Sequence, residues 1–127
     1  MAVQDVTEAE LMVLQRLWEV ESGTIRQLAE HLYPGGTTTH YATVQKLLER
    51  LEGKGFVRRD ASGSPHLFWP AITREELLGR RLKTLAEKLT GGSLTPLLTH
   101  LVQSQRLSAQ ELEKLRSLID EAGRRRK

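Results

Sequence analysis

At 127 residues, with 39% hydrophobic and 28% charged side chains, the chain fits one domain, or a small domain with an appendage, of ordinary globular composition. The absence of cysteine excludes disulfides, thiolate metal sites and cysteine nucleophiles, and an aromatic content of 5% leaves the core to Leu, Val, Ile and Ala, which favours helices. The formal charge of +3 is unevenly spread: residues 1–45 carry two basic and six acidic side chains, whereas residues 46–59 carry Lys46, Arg50, Lys54, Arg58 and Arg59 against Glu49 and Glu52.

The N-terminal MAVQDVTEAE lacks the basic and apolar segments of a secretory signal. No apolar run approaches the roughly 20 residues that span a bilayer. A cytoplasmic chain without membrane insertion is expected.

Helix starts are marked by a hydroxyl residue followed three positions later by Glu or Gln: Thr7 with Glu10, Thr24 with Gln27, Thr73 with Glu76, and Ser108 with Glu111. In such a capping box the hydroxyl and the acid or amide each satisfy a backbone N–H that the helix leaves unpaired. A first helix is expected from about Thr7 to Glu19, with Leu11, Leu14, Leu17 and Trp18 facing inward and Ser22-Gly23 breaking it. A second, short helix runs from about Ile25 to Leu32 and ends at Tyr33-Pro34-Gly35-Gly36. The third starts among Thr37 to Thr39 and ends near Gly53-Lys54-Gly55, with Val44, Leu47, Leu48 and Leu51 as its buried stripe. Phe56–Arg59 and His66–Trp69 read as two strands of a hairpin joined by the turn-forming Ala61-Ser62-Gly63-Ser64-Pro65.

The remainder reads as helical: about Thr73 to Leu89, ended by Gly91-Gly92, then about Ser93 to Ser104 and about Ser108 to Ala122. Their apolar stripes include Leu78, Leu82, Leu85, Leu98, Leu101, Leu112, Leu115 and Ile119. A helical segment this short has little of its own to bury them against, and a second copy is the simplest cover. The fold class is therefore mainly α with a small β-hairpin wing. Residues 1–72 form a winged helix-turn-helix, and residues 73–127 a three-helix dimerisation domain of a homodimer.

In this outline the third helix enters the DNA major groove and the wing touches the backbone. Its outer side offers Thr39, His40, Tyr41, Thr43, Gln45, Lys46 and Arg50, with no acid between Thr37 and Lys46. Hydroxyls can bond phosphates, Gln and Lys can reach base edges, and the helix N-terminus favours an anion. Arg58 and Arg59 of the wing add phosphate attraction. The alternative is a winged-helix protein-interaction module without DNA binding, for which exposed Leu, Phe or Met anchors on this helix would be expected.

The stretches TEAELMVLQRLWEVESGTIRQLAEHL and YATVQKLLERLEGKGFVRR, followed by LTGGSLTPLLTHLVQSQRLSAQELEKLRSLI, resemble the penicillinase-repressor family of bacteria, the BlaI/MecI/CopY type. The resemblance covers nearly the whole chain. It implies a repressor that binds a palindromic double-stranded DNA operator, with Ala42, Thr43, Gln45 and Lys46 at the positions that read it. Ala42 and Gln45 stand where some members carry long basic residues, so the operator can differ. Copper-responsive members end in paired cysteines, which are absent here. Penicillinase-type members are cleaved by a membrane sensor-protease, and the corresponding bond would be His100–Leu101.

Other residues read plainly. His31, His40, His66 and His100 fall on separate elements with no ligand spacing, so no metal is expected. Trp18 and Trp69 read as packing residues, and Arg124 to Lys127 as a solvated tail. No nucleophile set, phosphate loop or acid pair has a catalytic frame, so neither an enzyme nor a cofactor is expected.

Overall fold

A computed structural model describes residues 6–104 and 106–125. Within them the order is α1 (Glu8–Val20), α2 (Ile25–Leu32), α3 (Thr38–Gly53), β1 (Val57–Asp60), β2 (Leu67–Pro70), α4 (Arg74–Thr90), α5 (Thr95–Ser104) and α6 (Ala109–Arg125). This is the mainly helical architecture with a hairpin wing that the patterning implies.

All four capping boxes form. The N-cap N–H groups of Thr7, Thr24, Thr73 and Ser108 donate to Glu10, Gln27, Glu76 and Glu111 at 2.9–3.1 Å, and the hydroxyls accept in return. The Glu76 carboxyl lies below its ordinary pKa because the Thr73 N–H and hydroxyl stabilise its charged form.

Contacts divide the chain into two units, residues 1–81 and 82–127. The division falls inside α4, later than the 72/73 boundary suggested by the hairpin's end. The first turns of α4 account for this: Leu77 is buried in the first unit's core, the Arg80 guanidinium lies 5.5 Å above the Phe56 ring, and Arg81 donates to the Val6 carbonyl.

In the first unit, Val13, Leu14 and Leu17 of α1, Leu28 and Ala29 of α2, and Val44, Leu47, Leu48 and Leu51 of α3 close on Phe56, Val57, Phe68 and Ile72. Leu11, Trp18, Ile25 and Leu32 are half-buried at the margin. The inward face of α1 thus centres on Val13, Leu14 and Leu17 rather than on Leu11 and Trp18. Trp18 instead donates its indole N–H to the Ile72 carbonyl at 2.9 Å.

β1 and β2 pair antiparallel with Val57 opposite Pro70, Arg58 opposite Trp69, Arg59 opposite Phe68 and Asp60 opposite Leu67. Both strands begin one residue later than expected, because Phe56 is used in the turn leaving α3: its N–H bonds Leu51 and its carbonyl accepts from Ala71. Gly23 does more than break α1. Its N–H and carbonyl exchange hydrogen bonds with Phe68, both at 2.9 Å, adding a one-residue third strand to the wing.

The second unit holds the rest of α4 with α5 and α6. Gly91 and Gly92, at φ +63° and +97°, end α4, and Gly92 N–H caps the Ala86 carbonyl. Among the described residues of α5 and α6 none is fully buried. Arg124 and Arg125 form the last turn of α6, where Arg125 pairs with Glu121 at 2.6 Å, rather than a tail. Arg126 and Lys127 lie outside the described residues.

Candidate nucleic-acid interface

The turn Tyr33-Pro34-Gly35-Gly36 aims α3. Gly35 has φ +72°, and Gly36 N–H closes on the Tyr33 carbonyl at 2.8 Å. A Cβ on Gly36 would stand 2.7 Å from His40 Nδ1 and 2.8 Å from the Tyr33 carbonyl oxygen, so only glycine fits.

Thr37 is the N-cap of α3. Successive residues advance by about 100°, so the side opposite Val44, Leu47, Leu48 and Leu51 is centred on Thr39, Ala42, Lys46 and Glu49. Gln45 flanks that line on one side and Thr43 and Arg50 on the other. Thr39, Tyr41, Ala42, Thr43, Gln45, Lys46 and Arg50 are all exposed. The structure therefore brings six of the residues expected at DNA, Thr39, Ala42, Thr43, Gln45, Lys46 and Arg50, onto the open side of one helix.

Two of these side chains have local partners. Thr43 Oγ1 donates to the Thr39 carbonyl at 3.0 Å, and the Gln45 amide reaches Glu49 at 3.5 Å. Glu49, an acid on the exposed side one turn after Gln45, belongs to this surface although the sequence reading gave it no role. Helical spacing alone would have found it.

His40 is placed differently from its neighbours. It is half-buried, its ring stacks on Tyr33 with centroids 4.6 Å apart, and Nδ1 accepts from the Thr37 N–H at 3.0 Å. Tyr41 lies toward α2, in a groove also lined by Arg26, Glu30, Tyr33 and Thr38.

The two wing arginines separate by strand alternation. Arg58 is exposed on the Trp69 side of the hairpin. Arg59 is turned toward α3, where it pairs with Glu52 at 2.7 Å, approaches His66 Nδ1 at 3.4 Å and covers the Phe68 ring at 5.0 Å. The period-two pattern of the strand carries this distinction, and reading the pair as one basic patch missed it. In the turn, the Ser62 hydroxyl and then its N–H, which donates to Asp60 at 2.9 Å, hold the Asp60 carboxyl below the ordinary range.

In the second unit Leu82, Leu85, Leu98, Leu101, Leu112 and Ile119 are exposed in the single chain, as is Leu78 at the end of the first unit; Leu115 is half-buried. His100 and Leu101 are exposed within α5, where His100 Nδ1 lies 3.3 Å from Ser104 Oγ. Among the described residues no cluster of His, Asp and Glu could hold a metal, and no helix is long and apolar enough to cross a membrane.

The penicillinase repressor family model matches residues 6–121. The transcriptional regulator BlaI of Mycobacterium tuberculosis is 32% identical over 116 residues, covering 90% of this chain and 82% of that protein. The penicillinase repressor of Bacillus licheniformis is 22% identical over 125 residues, covering 98% and 97%. The methicillin resistance regulatory protein MecI of Staphylococcus aureus is 21% identical over 116 residues, covering 91% and 94%.

Proposed function

Because the chain belongs to the penicillinase-repressor family, we propose that it is a homodimeric transcriptional repressor that sets α3 of each protomer in the major groove of a palindromic operator. The observation that carries this reading is the open face of α3, acid-free from Thr37 to Gln45 and continued by Lys46 and Arg50. Gln45 reads bases, with Ala42 and Thr43 beside it, while Lys46, Arg50 and the wing's Arg58 neutralise phosphates. Arg59 acts through Glu52 and Phe68, holding the wing against α3. Among the described residues Tyr41 is the one large apolar side chain exposed on α3, which disfavours a protein-docking face.

The dimer reading is supported by the leucines of α4, α5 and α6, an exposed apolar surface that a lone soluble chain rarely carries. A two-fold pair places its recognition helices in half-sites about 34 Å apart, or at a related spacing. Cleavage of His100–Leu101 by a membrane sensor-protease would relieve repression. That bond is exposed but helical, so α5 must unwind before a protease can hold it extended.

Sequencing the DNA that co-purifies with the full chain, followed by gel shifts on the recovered fragments, tests the reading. A shared inverted repeat and salt-sensitive retardation are expected. Retention of protein partners after nuclease treatment, with no DNA enrichment, would favour the docking module instead.

A further inference from the structure

We propose that His40 is a positioning residue that locks the start of α3, and that it makes operator binding depend on a neutral imidazole. The inference rests on the reading of α3 as the DNA-contacting helix. At α1, α2, α4 and α6 the N-cap N–H is satisfied by an oxygen of Glu10, Gln27, Glu76 or Glu111. At α3 the same position holds His40, and the acceptor is Nδ1, 3.0 Å from the Thr37 nitrogen. A glutamate here would set a carboxylate beside the phosphates that α3 must approach. Histidine supplies the acceptor without the negative charge.

A backbone N–H only donates, so Nδ1 must carry a lone pair and the ring proton must sit on Nε2. The ring's seat is built around that state. Tyr33 stacks on one face, and Gly36 leaves the space that any Cβ would take. Protonation would turn Nδ1 into a donor pointing at a donor, and would add a cation at the positive end of the helix. The other charged and titratable groups lining the groove are Arg26, Glu30, Tyr33 and Tyr41, and Glu30 is already paired with Arg26 at 3.3 Å. The Tyr33 face can favour an imidazolium, but only with the ring where it is, against the Thr37 N–H. Protonation therefore loosens the first turn of α3, which carries Thr39 and leads into Ala42 and Thr43.

The test uses the full chain, a fragment of its own promoter region and constant ionic strength, with affinity measured from about pH 8 to pH 5.5, the range in which imidazoles change charge. His40→Ala should bind roughly three- to tenfold more weakly at pH 8, the scale of a lost helix cap. His40→Gln, which restores an oxygen acceptor, should recover most of that loss and remove the part of the wild type's acid-dependent decline that His40 causes. In the protein without DNA, the Thr37 amide resonance should follow the His40 titration. Equal acid sensitivity of wild type and His40→Gln, or unchanged binding by His40→Ala, overturns the proposal. If even the wild type fails to bind, the DNA reading falls; a Thr37 amide indifferent to His40 titration overturns the cap by itself.

Discussion

Glu10 and Lys54 meet at 2.7 Å, joining the first turn of α1 to the residue that ends α3. Glu10 is fully buried, and the same carboxylate oxygen also accepts from the Thr7 N–H. Burial works to raise its pKa, but the hydrogen bonds from Lys54 and Thr7 and the lysine's charge outweigh it, so the carboxyl lies below its ordinary value. A depressed folded-state pKa stabilises the fold above the unfolded value, about 4.3, and that stability is lost as pH falls through the folded value. Glu10→Gln should lower stability by about 1–3 kcal/mol at neutral pH and blunt the loss below about pH 4. Urea melts of both proteins across that range measure it; parallel pH curves would show that the pair does not titrate with folding.

Glu49 predicts a gain. It is exposed on the open side of α3, the side proposed to face DNA, and engages the Gln45 amide. Glu49→Gln should tighten binding a few-fold across sequences by removing a charge that repels phosphates. Lys46→Ala should weaken it across sequences and reduce the slope of log affinity against log salt by about 1. Gln45→Ala should instead alter which bases are preferred. Titrations at several salt concentrations, with a randomised operator library for Gln45, distinguish these outcomes.

The two wing arginines should give opposite signatures. Arg58→Ala should weaken DNA binding with little change in Tm. Arg59→Ala loses the Glu52 pair and the contact over Phe68, and should cost about 1 kcal/mol of stability because both groups of the pair are partly exposed. Calorimetry and gel shifts on the same preparations read both. Loss of binding at unchanged Tm for Arg59→Ala would return that residue to the phosphate-contacting set.

For the proposed dimer, Leu98→Glu should yield a monomer and reduce operator affinity together, since one protomer on one half-site would bind weakly. Light scattering during size-exclusion chromatography measures the first and gel shifts the second. A wild type that elutes as a monomer at micromolar concentration would remove the dimer proposal.

Much of the fold is legible because its signals are local. Thr7 with Glu10, and Ser108 with Glu111, place helix starts from four residues each, and the spacing of Val44, Leu47, Leu48 and Leu51 fixes which side of α3 faces out. What is hidden depends on partners far away in the chain. Glu10 reads as a solvated capping acid; its burial follows from Lys54, 44 positions on. Gly23 reads as a breaker, and its role as a strand exists only because Phe68 folds back onto it. His40 lies between these cases: its position in the pattern Thr-x-x-His is local, but the pattern is recognised only when set beside the four Glu and Gln boxes.

The chain's two tryptophans, Trp18 and Trp69, both lie in the first unit and line one shallow groove there. Intrinsic tryptophan fluorescence therefore originates in the first unit, whereas far-ultraviolet circular dichroism sums the helices of both units. Unfolding followed by both signals would separate melting of the first unit from melting of the second without any label.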